Sequence, residues 1–352
     1  MTASEQIILV HPHPRTVPLI LTDTDKRRLE QLGSVVYVEQ PESSEDTLER
    51  CLPNLVALVG QTPMDAARLH RAPHLRAIFN VEGNFLPNVD YALCHQRNIH
   101  VLSCAPAFAT SVAEMALGMA LASARGVLEN DASFRRGAEI YGGASNREAF
   151  LLRGKSIGLL GCGNVGRALL PLLRPFVFSS GEILAHDPWV HEHVLRELGT
   201  APVPLDELFR RSRVVFIISA ATNENKGAIG REQLQKMQPG ALVVVVGRSD
   251  VLDFDALLDL ADRGHLRVAI DVFPEEPLPK DHRVRQTRNT ILSAHRAGGV
   301  PESYHEIGRM VVDDLESVLK GLPPQRMQRA LPETVARYRG RPVSGVVANA
   351  PG

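Results

Sequence analysis

The glycine-rich stretch at residues 155–166 reads KSIGLLGCGNVG, and the tetrapeptide AHDP follows at residues 185–188. Residues 156–160 are typical of a short buried strand, and the residues directly after Gly166 are typical of a helix. Residues 183–186 then have the pattern of a second strand. This order of strand, turn, helix and strand predicts an α/β unit built on a parallel sheet.

The three glycines of the turn have the spacing that a dinucleotide site needs. Gly161 permits a tight turn, Gly163 lets backbone N–H groups approach a pyrophosphate, and Gly166 lets the helix pack closely. The N–H groups at the helix start, including those of Asn164 and Val165, favour negative charge. A glycine cluster alone is often a plain turn, but the flanking strands and helix favour a dinucleotide-binding turn.

Asp187 indicates which dinucleotide binds. It lies 21 residues past Gly166, at the end of the second predicted strand. A carboxylate at this position accepts hydrogen bonds from the adenosine ribose hydroxyls, and its charge would repel a 2′-phosphate. The sequence therefore predicts NAD rather than NADP as the cofactor.

The composition is that of an ordinary globular protein, with 44% hydrophobic and 22% charged residues. The 352 residues are too many for one ordinary core, so two domains are expected. A formal net charge of −1 gives no reason to expect nucleic acid or a membrane surface as partner. The apolar runs are of strand length, and the polar N-terminus and scattered cysteines predict a cytoplasmic protein with free thiols. No carboxylate or cysteine cluster with ligand spacing accompanies the histidines near Trp189, so no metal site is predicted.

Three polar residues, Arg248, Glu276 and His295, each follow one of the last three predicted strands. In an open α/β sheet, ligands bind beyond the carboxyl ends of the strands. We therefore expect these side chains at the same edge of the sheet as the glycine turn. Singly, each has a plainer explanation: a solvated arginine, an exposed acidic turn, or a structural histidine.

Together these residue types suit the reduction of a carbonyl beside a carboxylate. A histidine, with an unperturbed pKa of about 6.5, can supply a proton to the alkoxide at neutral pH. A carboxylate on the other ring nitrogen orients the imidazole and favours its protonated form. An arginine binds a carboxylate through two parallel hydrogen bonds and polarises the neighbouring carbonyl.

The sequence around these residues resembles the D-isomer-specific 2-hydroxyacid dehydrogenase family. The segments that carry the resemblance are residues 248–257 (RSDVLDFDAL), 271–277 (DVFPEEP) and 295–299 (HRAGG), with weaker matches at 88–90 and 111–114. By this resemblance Arg248 orients the substrate, Glu276 partners His295, and Asp271 contacts the nicotinamide carboxamide.

The resemblance covers about residues 55–320 and implies an α/β fold of two domains, each a mostly parallel sheet with flanking helices. A Rossmann-type NAD domain is inserted into a flavodoxin-like substrate domain. The implied ranges are 1–109 and 297–325 for the substrate domain, 110–296 for the NAD domain with a long interdomain helix at 110–129, and 326–352 for a C-terminal tail.

The implied activity is reversible hydride transfer between NADH and a small 2-oxo acid, which gives a D-2-hydroxy acid, with His295 as general acid and base. The resemblance also implies a homodimer formed through residues 110–150. Two other functions stay open: an NADH-sensing binding protein like the C-terminal-binding-protein corepressors, and a formate-dehydrogenase-like activity. Formate dehydrogenases of the family carry glutamine where this chain has Glu276, which disfavours the second.

Several positions depart from the family pattern. Val245 and Ser249 stand where the family has asparagine and glycine, and residues 220–222 (AAT) replace Pro-Leu-Thr. The substrate loop resembles residues 80–84, where family members bind the substrate carboxylate with backbone N–H groups, so Glu82 and Gly83 are the predicted substrate contacts. We expect the Glu82 side chain to turn away from an anion or to select a substrate with a donor group.

Overall fold

The protein is described by a computed structural model that covers residues 5–39, 44–177 and 181–335. The chain divides into two compact units. The first comprises residues up to Phe108 together with those from Gly299 onward, and the second is Ala109–Gly298.

The strands of the described chain are short, as parallel strands between helices usually are. In chain order they are β1 (Ile7–His11), β2 (Ser34–Tyr37), β3 (Leu55–Gly60), β4 (Ala77–Asn80), β5 (His100–Ser103), β6 (Ile157–Leu160), β7 (Ile183–His186), β8 (Ala201–Pro202), β9 (Val214–Ile217), β10 (Ala241–Val245), β11 (Leu266–Ile270), β12 (Thr290–Leu292) and β13 (Gln328–Arg329).

The helices alternate with the strands through most of the chain. They are α1 (Val17–Ile20), α2 (Asp23–Leu32), α3 (Ser44–Cys51), α4 (Ala66–Arg71), α5 (Tyr91–Gln96), α6 (Ala109–Arg125), α7 (Val127–Arg135), α8 (Asn164–Leu173), α9 (Glu192–Glu197), α10 (Leu205–Arg211), α11 (Arg231–Gln235), α12 (Phe254–Asp262), α13 (Pro301–Leu319) and α14 (Pro332–Val335).

The first unit is a six-stranded sheet in the order β13-β5-β4-β3-β1-β2. The strands are parallel except β13, which pairs antiparallel with β5. Both faces are covered, because neighbouring residues Ile8 and Leu9 of β1 enter two different buried clusters. Residues of α13 pack in the cluster of Ile8. Counted within the unit, the parallel strands have the flavodoxin-like order 2-1-3-4-5.

The second unit is a seven-stranded parallel sheet in the order β12-β11-β10-β9-β6-β7-β8. Its β10, ALVVV, is buried at every position, as expected for a strand covered on both faces. Counted within the unit, the order is the Rossmann order 3-2-1-4-5-6 with one further strand. The predicted fold class, two mostly parallel sheets with flanking helices, is therefore confirmed.

The helix predicted at residues 110–129 is in fact two helices. The first, α6, ends at Arg125, and α7 begins at Val127. Gly126 between them has φ +60°, a left-handed conformation that interrupts the hydrogen-bond ladder of a right-handed helix. The break therefore comes from backbone geometry that the apolar pattern of the segment did not reveal.

The predicted C-terminal tail starts later than expected. Asp314 of α13 is buried, and its carboxylate accepts hydrogen bonds from the N–H groups of Gln325, Arg326 and Met327 at 2.7–2.9 Å. This anchor leads into β13, so residues 326–335 belong to the first unit. The prediction for the remaining tail lies outside the described residues.

One helical stretch of the described chain, Ala105–Arg125, is long and apolar enough to cross a membrane by length and composition alone. Of the 18-residue segment that meets this test, 44% is buried inside the protein. Core helices pass the same test, and within the second unit α6 packs against α8 and β10, so this is weak evidence for a membrane span.

Candidate active site

The glycine turn after β6 has the tight geometry that the sequence predicted. Gly161 has φ +96°, and a Cβ atom there would lie 2.8 Å from the backbone Cα of Ser219, which follows β9. Any side chain at this position would therefore meet backbone on the neighbouring strand and adopt a strained conformation. Gly161 thus keeps the turn narrow where the strand order reverses, the place at which doubly wound sheets bind ligands.

Gly163 and Gly166 have different surroundings. A Cβ atom at Gly163 would meet nothing within 4 Å, so the space above the turn is open to a ligand. A Cβ atom at Gly166 would lie 3.0 Å from the carbonyl oxygen of Gly161 and 3.3 Å from Ile218. Gly166 therefore lets α8 pack closely on the turn, while Gly163 leaves room at the start of the ten-residue α8. Backbone N–H groups at a helix start form a suitable cradle for a pyrophosphate.

Asp187 lies at the carboxyl end of β7 and is tied to the glycine turn. Its Oδ2 accepts a hydrogen bond from the Cys162 N–H at 2.7 Å, and its Oδ1 accepts one from the Trp189 N–H at 3.0 Å. The carboxylate is partly exposed. Because a carboxylate oxygen can accept more than one hydrogen bond, Asp187 can hold the turn and still bind a ribose.

Cys162 packs inside the turn. Burial, with the nearby Asp187 carboxylate as the second cause, raises the pKa of its thiol to about 11. The thiol therefore stays protonated at neutral pH and is a poor nucleophile. Cys162 is therefore a small packing residue of the turn.

His295 and Glu276 meet beyond the carboxyl ends of neighbouring strands. The His295 Nδ1 and the Glu276 Oε2 are 2.5 Å apart, and the other carboxylate oxygen accepts the Phe273 N–H at 2.8 Å. The backbone bond fixes the carboxylate, and the carboxylate in turn fixes the imidazole ring. About half of the His295 side chain is exposed, so its Nε2 can reach a ligand.

Asp271, at the end of β11, holds the backbone turn that carries His295. Its carbonyl oxygen accepts the His295 N–H at 2.7 Å. Its two carboxylate oxygens accept the N–H groups of Arg296 and Ala297 at 2.9 and 3.1 Å. The residue is only 1% exposed. Its carbonyl and carboxylate together support an unusual backbone, because His295 has φ +49°.

Arg248 follows β10, which lies beside β11 in the same sheet. Its Nη1 donates to the Gly247 carbonyl at 2.8 Å. Gly247 is itself required, since a Cβ atom there would lie 2.8 Å from the backbone of Ile218. Arg248, Glu276 and His295 therefore all follow strands of one parallel sheet, and Glu276 contacts His295 directly.

The loop after β4 in the first unit carries the two predicted substrate contacts. With the Gln61 amide turned so that both of its ends are satisfied, its oxygen accepts the N–H groups of Val81 and Glu82 at 3.0 and 2.9 Å. The Glu82 carbonyl accepts the Ser103 hydroxyl at 3.1 Å. In the part of the chain that the structure describes, the Gly83 N–H has no protein acceptor, so it is the better placed of the two for an anion.

Sequence reasoning missed Arg15 and Gln61, which contact this loop from the carboxyl ends of β1 and β3. Their position after strands of the first predicted sheet was the available signal. No group of three potential metal-ligating side chains occurs among the described residues.

The comparisons with known proteins agree with this geometry. Residues 117–297, about half of the chain, match the model of the D-isomer specific 2-hydroxyacid dehydrogenase NAD-binding domain. The chain therefore belongs to the D-isomer-specific 2-hydroxyacid dehydrogenase family, and the predicted resemblance is confirmed. The open cradle at Gly163 and the acidic end of β7 fit the expected dinucleotide, so the cofactor is NAD.

Similar proteins include several oxidoreductases. A D-3-phosphoglycerate dehydrogenase of Archaeoglobus fulgidus is 30% identical over 80% of this chain and 52% of its own length. A glyoxylate reductase of Korarchaeum cryptofilum is 29% identical over 81% of this chain and 86% of its own. The crystal structure of a phosphoglycerate oxidoreductase from Rhizobium etli has a TM-score of 0.85 and 37% identity, covering 94% of this chain and 99% of that one. The chain spans about half the length of the phosphoglycerate dehydrogenases it matches.

Proposed function

We propose that this protein catalyses reversible hydride transfer between NADH and a small 2-oxo acid, giving a D-2-hydroxy acid. The observation that carries the proposal is the 2.5 Å contact between His295 and Glu276 beyond the strands of the NAD-binding sheet. Relatives named for phosphoglycerate and for glyoxylate support a 2-oxo or 2-hydroxy acid as the substrate class.

When bound, NADH would supply the hydride for C2 of the 2-oxo acid, and the protein supplies the proton and the orientation. Because Glu276 binds Nδ1, the opposite ring nitrogen of His295, Nε2, gives its proton to the oxygen on C2. In the oxidative direction the same nitrogen takes that proton from the hydroxyl. Glu276 holds the imidazole ring in one orientation, as the carboxylate does in other histidine–carboxylate pairs.

Arg248 binds the substrate carboxylate in this scheme and polarises the adjacent carbonyl, which a planar guanidinium can do with two hydrogen bonds. We further propose that the two units act as domains, with Ala109–Gly298 binding the dinucleotide. The first unit would contribute the backbone N–H groups of Glu82 and Gly83 to substrate binding, and Asp271 would contact the nicotinamide carboxamide. For Glu82 this role requires its N–H to be shared with Gln61.

The test is oxidation of NADH with a panel of 2-oxo acids by the wild-type chain and by His295→Asn. We expect kcat to fall by about 10²- to 10⁴-fold in the variant, since general acid–base catalysis contributes this much, while NADH binding is retained. His193→Asn is a matched control, because His193 forms a His–Glu pair with Glu197 at 3.2 Å on an exposed helix. It should retain full turnover.

Two results would contradict the proposal. Undiminished turnover by His295→Asn would refute the proton-transfer role. A wild-type protein that binds NADH but reduces none of the acids would instead support a dinucleotide-sensing binding protein.

We also propose that the protein forms a homodimer through residues 110–150. Large apolar side chains are exposed along this part of the second unit: Leu121, Val127, Leu128, Phe134, Ile140 and Tyr141. Several exposed large apolar side chains on one segment of a folded unit are typical of an interface. Light scattering of the purified chain would measure its mass directly.

A further inference from the structure

The carboxyl end of β1 carries a cation that is built into the predicted substrate loop. The Arg15 Nε donates to the Val81 carbonyl at 2.8 Å, and its Nη2 donates to the Glu82 Oε2 at 3.1 Å. One guanidinium therefore holds both the backbone and the acidic side chain of the loop after β4. This arrangement uses the fixed fork of donors that distinguishes arginine from lysine.

Two aromatic rings of the same unit fix the Arg15 guanidinium. Its Cζ lies 5.4 Å from the centroid of the Phe108 ring and 4.9 Å from that of Tyr304. The Arg15 side chain is 15% exposed, whereas the Glu82 side chain is 32% exposed. The cation is thus held in place by stacking and hydrogen bonds, and the carboxylate is the more accessible member of the pair.

The charge of this arginine is matched by its neighbour. Arg15 contacts the loop as a cation, and Glu82 neutralises it. The remaining carboxylate oxygen of Glu82, Oε1, accepts no hydrogen bond from the described residues. The pair therefore offers a substrate an acceptor atom and no uncompensated positive charge.

A phosphate group needs such an uncompensated cation. Phosphate oxygens are bound by arginine, lysine or helix-start N–H groups, and a carboxylate beside them is repulsive. A hydroxyl group, by contrast, can donate to a carboxylate oxygen. The local charges of this loop consequently favour a substrate with an uncharged tail over a phosphorylated one.

We propose that Arg15 and Glu82 are a specificity-determining pair that selects 2-oxo acids with an uncharged, hydroxyl-bearing tail and discriminates against the phosphorylated form. Arg15 positions the loop and neutralises Glu82, and Glu82 accepts the tail hydroxyl. This inference rests on the proposed function, because it takes the loop after β4 to bind the acid. It also distinguishes this chain from its relatives named for phosphoglycerate.

The experiment compares hydroxypyruvate with 3-phosphohydroxypyruvate, which differ only in the phosphate. NADH oxidation by the full chain gives kcat/KM for each acid. We expect the wild-type ratio to favour hydroxypyruvate by at least about tenfold. In Glu82→Gln the ratio should shift toward the phosphorylated acid by about tenfold, because Arg15 is then uncompensated at close range.

Arg15→Gln should act differently from Glu82→Gln. It removes the loop anchor and leaves the Glu82 charge unmatched, so KM should rise about tenfold for hydroxypyruvate and further for the phosphorylated acid, which the unmatched carboxylate repels, while kcat changes little. Arg15→Lys keeps the charge but loses the fork, and it serves as a second variant if the glutamine variant folds poorly. It should keep the wild-type preference with a smaller rise in KM.

Arg68→Gln is the matched control. Arg68 is a mostly buried arginine of the same unit, as Arg15 is, and it pairs with Glu45 and Glu49 away from the loop. Its loss should change stability without moving the ratio between the two acids.

The results separate the two proposals. A wild-type chain that reduces 2-oxo acids but prefers the phosphorylated one, or whose preference is unchanged in both Glu82→Gln and Arg15→Gln, would overturn the specificity pair alone. A wild-type chain that reduces no 2-oxo acid would overturn the proposed function, and the specificity pair with it.

Discussion

The turns after the first strand of each sheet occupy corresponding places and differ in chemistry. In the second unit β6 ends in the glycine turn, which leads into the ten-residue α8. In the first unit β1 ends in Pro12-His13-Pro14-Arg15, which leads into the four-residue α1. The glycine turn after β6 offers backbone N–H groups to an anion. The turn after β1 instead offers one stacked side-chain cation, Arg15, which is already paired with Glu82.

In both units a glycine allows the first strand and its neighbour to approach closely. The glycine follows the first strand in the second unit and belongs to the neighbouring strand in the first unit. In the second unit it is Gly161 after β6, facing Ser219. In the first unit it is Gly60 on β3, which has φ +137° and whose Cβ would lie 1.8 Å from the His11 carbonyl oxygen. A glycine at either of these two places therefore avoids the clash that a Cβ atom would cause. The turn after β6 leaves open space at Gly163 beside a helix start, and that turn can cradle a pyrophosphate.

Two buried carboxylates provide a second comparison. Substitution of one of them gives the largest expected effect on kcat. Asp271 and Asp314 are each 1% exposed and accept backbone N–H groups, but only Asp271 holds the turn of His295. Asp271→Asn would place an amide NH₂ against a backbone N–H and leave that donor unsatisfied, at a cost of about 1–3 kcal/mol. We expect kcat to fall by about 10- to 100-fold, with an altered pH profile of kcat because His295 is displaced from Glu276.

Asp314→Asn is the control for a purely structural effect. It should lower the free energy of unfolding by a similar amount while kcat and its pH profile stay at wild-type values. Equal kinetic losses in the two variants would show that Asp271 acts only through stability.

The glycine turn gives a smaller and more selective prediction. Gly163→Ala should raise the Kd for NADH about tenfold with an unchanged Tm, because its Cβ meets no protein atom but occupies the place of the ligand. Gly161→Ala should instead lower stability by about 2 kcal/mol or more, since alanine is strained at φ +96° and its Cβ would overlap Ser219. Isothermal titration and thermal unfolding measure the two quantities.

A reversed pattern, with Gly163→Ala destabilised and Gly161→Ala impaired only in NADH binding, would contradict the division of roles between the two glycines.

The smallest expected effect is on the pH dependence of stability, and it involves His11 at the end of β1. Burial, with His13 as the second cause, lowers the pKa of His11 below its usual value. Burial also lowers the pKa of His100, with Arg329 as a further cause and Asp314 opposing. The unfolded chain therefore binds these protons more readily. The stability that the neutral rings contribute is present above about pH 6.5 and is lost as pH falls through the lower folded value.

His11→Asn should flatten this loss of stability between about pH 7 and pH 5, as measured by urea unfolding at each pH. His70→Asn, at an exposed position of the same unit, should keep the wild-type pH dependence. An unchanged pH dependence in His11→Asn would exclude His11 as a contributor.

Much of the fold and of the cofactor site follows from short-range sequence pattern. Alternation of strand and helix patterns predicted a parallel α/β unit, the family resemblance implied two such sheets, and the spacing of Gly161, Gly163 and Gly166 predicted the dinucleotide turn. These features are local, because strand burial, turn geometry and the helix start depend on neighbouring residues. The helix break at Gly126 and the anchored segment after α13 were missed, since they depend on one backbone conformation and on a distant buried carboxylate.

The sequence by itself determined which residue types stand at the ends of the strands, and hence the family and the cofactor. Only the tertiary structure decided how they are held: the left-handed backbone at His295, the clamp by Asp271, and the pairing of Arg15 with Glu82 across 67 positions of the chain. Parallel strands bring residues far apart in the chain to one sheet edge, and the contacts made there depend on side-chain geometry that no local pattern encodes.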